Sequence, residues 1–127
     1  MSRLRALTAA AALATLAFAA CGGGDNGASK NASNEVTIEL VAFQPETLTV
    51  DRDTTVTWQQ KDPGSHTVTS GTVEQGAAGV TPHPDGRLDS GEIATNRSFE
   101  FTFAETATYP YFCRLHPATM RGVIDVR

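Results

Sequence analysis

From Glu35 onward apolar and polar residues alternate with a period of two in several short runs, and no stretch repeats apolar residues at helical spacing over two or more turns. Val36, Ile38 and Leu40 alternate with Thr37 and Glu39, Leu48 and Val50 with Thr47 and Thr49, and Val56 and Trp58 with Thr55 and Thr57. Phe99, Phe101 and Phe103 put three rings on one face of a strand, most simply the core face. Tyr109, Tyr111 and Cys113 share a face by the same count, and a last strand runs over 123–126 with Ile124 and Val126 on one side. Runs this short, separated by Asp, Gly and Pro, predict an all-β, antiparallel Greek-key sandwich of about seven to eight strands. Pro110 fits a strand only where its nitrogen points away from a ladder. The stretch 71–92 has five Gly and two Pro and no sustained periodicity, which predicts a long surface excursion that holds a short helix or ribbon at most.

The chain has 127 residues, room for one such domain and little else. Arg3 and Arg5 precede an uncharged run from Ala6 to Ala20, long enough for a signal h-region and short of the ~20 residues needed to span a bilayer. The run ends Leu16-Ala-Phe-Ala-Ala-Cys21, and small residues before a cysteine resemble the bacterial lipoprotein box, with Phe18 where that box prefers Leu. The resemblance implies cleavage after residue 20 and lipidation of Cys21. Residues 21–34 are rich in Gly, Asn and Ser, with too little apolar surface to offset the entropy of ordering them. They read as a tether with a reach of about 20 Å. The expected organisation is a signal peptide over 1–20, a tether over 21–34 and a domain over 35–127, held outside a bacterial cytoplasmic membrane.

Charge narrows the choice of partner. The chain carries 10 Lys and Arg against 14 Asp and Glu, and two of the basic residues lie in the leader, so nucleic acid is an unsuitable partner. Two cysteines exclude a disulfide framework of the kind that small secreted domains use.

Candidate chemistry sits near the C-terminus. Cys113, His116 and Met120 place a thiol, an imidazole and a thioether within eight residues, where a strand ends and the chain turns back. A fourth donor must come from elsewhere, and His66, at the start of a strand after Pro63-Gly64, is the candidate. Two imidazoles, one thiolate and a weak axial thioether make the ligand set of a blue-copper electron-transfer site. Zinc suits the set less well, because thioether is a poor zinc ligand and structural zinc sites use four Cys or His donors. His83, between two prolines, reads as solvent-exposed.

Over nearly the whole domain the chain resembles the cupredoxins, the family of plastocyanin, amicyanin and pseudoazurin. The resemblance rests on Val41-Ala-Phe-Gln-Pro45, Leu48-Thr-Val50, Thr55-Val-Thr-Trp58, Gly64-Ser-His-Thr-Val-Thr69, Phe99-Glu-Phe-Thr-Phe103 and Tyr109-Pro-Tyr-Phe-Cys113. It implies one type 1 copper ion with His66, Cys113 and His116 as equatorial ligands and Met120 as the axial one. Met120 follows His116 by four positions, between the three of amicyanin-like loops and the five of plastocyanin-like loops. Relatives often carry Asn beside the first histidine, whereas here Ser65 and Thr67 flank it as candidate hydrogen-bonding groups near the cysteine. The family passes electrons through an apolar patch around the second histidine, which implies a surface of Leu115, Pro117, Ala118, Val41 and Phe43 around His116.

The expected function is a single-electron Cu(II)/Cu(I) shuttle, monomeric and not an enzyme, between redox proteins such as a cytochrome, oxidase or reductase. An extracytoplasmic copper carrier or chaperone is the alternative, disfavoured because Met-rich and His-rich tracts are absent. A metal-free interaction module is a third reading.

Overall fold

The computed structural model describes residues 33–127, so the leader, Cys21 and nearly all of the tether lie outside it. Eleven strands and no helix make up the described residues: β1 (Glu35–Glu39), β2 (Ala42–Gln44), β3 (Thr47–Val50), β4 (Thr54–Gln60), β5 (Ser65–His66), β6 (Thr69–Gly76), β7 (Gly79–Asp89), β8 (Ile93–Ala94), β9 (Ser98–Phe103), β10 (Thr108–Phe112) and β11 (Arg121–Val126). They form a four-stranded sheet, β2-β1-β4-β9, a five-stranded sheet, β3-β11-β10-β6-β7, and the small pair β5-β8. The all-β sandwich expected from the alternation is therefore present. The count exceeds eight because β2, β5 and β8 are pieces of only two or three residues. Two pairings, β1 with β4 and β3 with β11, are parallel, a direction that side-chain alternation cannot report.

Aromatic rings join the two sheets. Trp58 of β4 meets Tyr111 of β10 edge-on at 5.7 Å, Phe43 of β2 meets the same tyrosine at 4.7 Å, and Phe103 of β9 meets Tyr109 of β10 at 4.8 Å. Val36, Ile38, Val56, Leu48 and Ile124 complete a continuous core between them. The three β9 rings do share a face, but only Phe103 is fully buried, since β9 is a sheet edge and leaves Phe99 and Phe101 partly covered. Gly122 lies opposite Tyr111 in the β10–β11 ladder, where a Cβ would come 2.4 Å from the tyrosine ring. Only a residue without a side chain lets that ring lie across the strand.

Pro110 occupies a strand between two neighbours without breaking either ladder. The Cys113 N–H donates to the Met120 carbonyl, so by alternation Tyr111 and Tyr109 also bond to β11 while the Pro110 nitrogen faces β6. Pairing with β6 starts only at Tyr111↔Ser70, so no partner is lost there.

Residues 71–92 contain a ribbon: β6 and β7 form a long antiparallel hairpin with a bulge between Thr69 and Gly71. Gly71 (φ +135°) passes so close to β7 that a Cβ would meet the His83 carbonyl oxygen at 2.1 Å. The outer part of the hairpin is exposed on both faces, which is why it shows no apolar alternation.

The first alternation also ends earlier than its pattern predicts. β1 stops at Glu39, and Leu40 and Val41 form a two-residue turn to β2, with Leu40 80% exposed.

Candidate metal centre

Three elements converge at one end of the sandwich. β5 carries His66 and pairs with β8 through His66↔Ile93. After it the chain leaves that pair and, across Thr67 and Val68, enters β6 of the five-stranded sheet. β10 ends beside it at Phe112, and the loop 113–120, which opens on Cys113, returns to β11. Two consecutive turns build this loop: the His116 N–H donates to the Cys113 carbonyl, and the Thr119 and Met120 N–H groups donate to the His116 carbonyl. Arg121 fastens it from outside, its guanidinium donating to the Pro117 and Ala118 carbonyls at 3.0 and 3.1 Å.

The donor atoms of His66, Cys113 and His116 all lie within 4.8 Å of one another. Nδ1 of His66 is 3.7 Å from Cys113 Sγ and Nδ1 of His116 is 3.9 Å from it, so the same nitrogen of each ring faces the sulfur. His66 and Cys113 are buried, and His116 is half-buried, its ring reaching toward the surface. Met120 is fully buried at the end of the same loop. A buried cysteine facing two imidazole nitrogens suits a soft or borderline ion, and the set fits copper.

Hydrogen bonds hold the sulfur in place. The Thr67 backbone N–H donates to Sγ at 3.3 Å, and the Thr67 hydroxyl accepts from the Arg114 N–H at 2.8 Å, tying the residue after one histidine to the residue after the cysteine. Thr67 thus stands against the sulfur, while Ser65 is engaged in the pairing with Ala94. Arg114 also reaches Asp89 at 2.6 Å, which fastens the loop to the end of β7.

Of the residues implied for an electron-transfer surface, Leu115 and Val41 are exposed at 49% and 41%, Ala118 is exposed and Pro117 partly so. Phe43 requires correction. It is 3% exposed, because β2 turns its ring inward onto Tyr111, and Leu40 rather than Phe43 accompanies Val41 at the surface. His83 is half-exposed on β7, 3.5 Å from Glu74, and takes no part in the cluster.

Sequence reasoning missed Asp62. In the sequence it belongs to an Asp-Pro-Gly turn, but in the fold its Oδ2 lies 3.3 Å from His66 Nε2. Its carboxyl sits below the usual range: burial acts to raise it, and the N–H groups of Val41 and Leu40 together with His66 outweigh that. Burial pushes the His66 imidazole below its ordinary 6.5, against the pull of Asp62 and with the help of His116. A neutral imidazole is the form a metal requires.

A pH dependence follows for the metal-free protein. The unfolded chain takes up the His66 proton at a higher pH than the folded one, so stability from this group is intact above 6.5 and is lost as pH falls through its lowered folded value. Asp62 and Asp85, both held below 3.8, add a further loss that begins near 3.8. Urea denaturation should show the midpoint falling between neutrality and about pH 5. A midpoint that stays flat over that range would contradict the burial of a neutral His66.

Comparison with known proteins gives an independent result. The family described as copper binding proteins of the plastocyanin/azurin family matches residues 30–127. Among solved structures, a reduced Cu(I) form of an amicyanin variant at pH 4 is 25% identical with a TM-score of 0.56, covering 75% of this chain and 82% of that one. A reduced state of another amicyanin variant gives 25% identity and a TM-score of 0.58 over the same shares. A purple cupredoxin from Nitrosopumilus maritimus is 25% identical with a TM-score of 0.57, covering 73% of this chain and 98% of that one.

Proposed function

The chain belongs to the plastocyanin/azurin family of copper-binding proteins, and from that premise we propose that it is a type 1 (blue) copper electron carrier working at the outer face of a bacterial cytoplasmic membrane. The observation that carries this reading is the pair of imidazole Nδ1 atoms, 3.7 and 3.9 Å from one buried sulfur. His66, Cys113 and His116 would hold the copper with Met120 as a fourth donor, and the ion would supply a one-electron Cu(II)/Cu(I) couple.

The remaining work is done by the chain. The Thr67 N–H stabilises negative charge on Sγ, and the 113–120 turns and the Arg121 guanidinium fix the loop that carries the other donors. Donors that need not move on a change of charge keep the reorganisation cost of electron transfer low. Four protein donors leave no coordination position for a substrate, so the reading is a carrier and not an enzyme. Burial of Cys113 and His66 opposes surrender of the ion, which favours an electron carrier over a copper chaperone.

Electrons would enter and leave by His116, the least buried ligand, with Leu115 beside it in the loop. A cytochrome, oxidase or reductase is the kind of partner such a surface serves. The acidic balance of the chain adds salt-dependent steering toward a basic one. Lipidation at Cys21 and the tether would keep the monomer near the membrane.

Titration of the metal-free protein with copper tests the reading. An intense visible absorption that saturates at one ion per chain is expected. A colourless complex, or saturation at two ions, would refute it.

A further inference from the structure

The Asp62 carboxylate makes contacts on two sides. Oδ1 accepts the Leu40 N–H and Oδ2 the Val41 N–H, both at 2.7 Å, while Oδ2 also lies 3.3 Å from His66 Nε2. Its own position is fixed by neighbours: the Asp62 N–H donates to Gln60 Oε1 at 2.8 Å, and the Thr95 hydroxyl donates to the Asp62 carbonyl at 2.8 Å. Gln60 is itself buried. The carboxylate is therefore held by the protein, not steered by solvent.

The turn that it grips is unusual. Glu39↔Ala42 closes a two-residue hairpin loop, and both loop residues are left-handed, Leu40 at φ 57° and Val41 at φ 56°. Such loops favour Asn-Gly, and a β-branched residue in this region is a steric outlier. The two N–H groups that converge on Asp62 offset that strain, and the turn holds Leu40 and Val41 exposed.

Resting on the copper reading above, we propose that Asp62 is a positioning residue that couples the exposed Leu40–Val41 turn to the metal ligand His66. Its carboxylate receives the Nε2–H of His66, which fixes the tautomer with a bare Nδ1 facing Cys113 Sγ. The same group holds the turn in its left-handed form. A carboxylate behind a ligating imidazole orients the ring and raises its basicity, and loss of such a partner typically weakens metal binding about 10- to 100-fold. Removing its negative charge also disfavours Cu(II) relative to Cu(I), so the reduction potential rises.

Asp62→Asn is the test, since the replacing amide has one acceptor oxygen for three N–H donors. Three results are expected: a Cu(II) affinity lower by about 10- to 100-fold, a raised potential, and loss of the single His66 tautomer in ring-nitrogen NMR of the metal-free protein. Asp51→Asn is the charge control. It is exposed beside Val50, which pairs with Val126 at the far end of β11 from Met120, and should change none of these. Combining Asp62→Asn with Leu40→Asn and Val41→Gly, residues that accept left-handed backbone unaided, should restore stability while the affinity loss and potential shift persist. If Asp62→Asn leaves affinity, potential and tautomer at wild-type values, or if the turn substitutions alone restore them, the proposal is overturned. A wild-type protein that gives no blue complex would instead overturn the copper reading, and the metal-free NMR result would still report on Asp62.

Discussion

Cys113→Ser abolishes the intense visible absorption of the copper-loaded protein while leaving the sandwich folded. The absorption requires charge transfer from a thiolate, and Cys113 is the one cysteine among the described residues. A serine hydroxyl is a hard, weakly acidic donor that offers copper no such transition. The fold should tolerate the change, because the side chains are similar in size and the Thr67 N–H that donates to Sγ can donate to an oxygen. Its loss of stability should stay within about 1–3 kcal/mol, the range for a buried polar group that is imperfectly satisfied. Absorption spectra and urea denaturation of the two proteins make the comparison. A variant that remained blue would refute ligation by Cys113.

Trp58→Ala lowers the stability of the metal-free protein by about 3–5 kcal/mol, a large share of the roughly 5–15 kcal/mol that holds a small domain together. The indole is fully buried and touches Phe99 and Phe103 within its own sheet and Tyr111 across the sandwich, so truncation opens a cavity between the sheets. Trp58→Phe should cost far less. A phenylalanine ring keeps most of the contact with Phe103 and Tyr111 and leaves a much smaller cavity. Equal losses in the two variants, measured by denaturation with unchanged slope, would mean that the cavity account is wrong.

The parts of the fold that were legible in the sequence are those buried on one face only. β3 and β4 announce themselves because threonine alternates with buried Leu48, Val50, Val56 and Trp58. The β6–β7 ribbon did not, because its outer part has no core on either side and hence no periodic apolar residue to reveal it. Phe43 was misplaced because β2 is three residues long, too short for alternation to say which face its ring takes. At the site, Cys113, His116 and Met120 are neighbours in sequence, so their spacing was visible, and His66 was reachable through the run that follows the Pro63-Gly64 turn. Asp62 was not, since its bonds run to residues 21 and 22 positions away and an Asp-Pro-Gly run reads equally well as an ordinary turn. Nor does any Gly or Asn mark the Leu40–Val41 turn, whose left-handed backbone is stabilised from outside it.

One feature of the topology bears on when the site can form. β11 lies between β3 and β10, inside its sheet, with ladders on both sides. The loop that carries His116 and Met120 is closed by the backbone bond from Cys113 to Met120, immediately before that strand. A growing polypeptide that has not yet released residues 121–126 from the ribosome therefore lacks the strand that shapes the loop, whatever it has already folded. The loop donors consequently assemble no sooner than the long-range pairing that seats β11 between β3 and β10, a slow class of folding step.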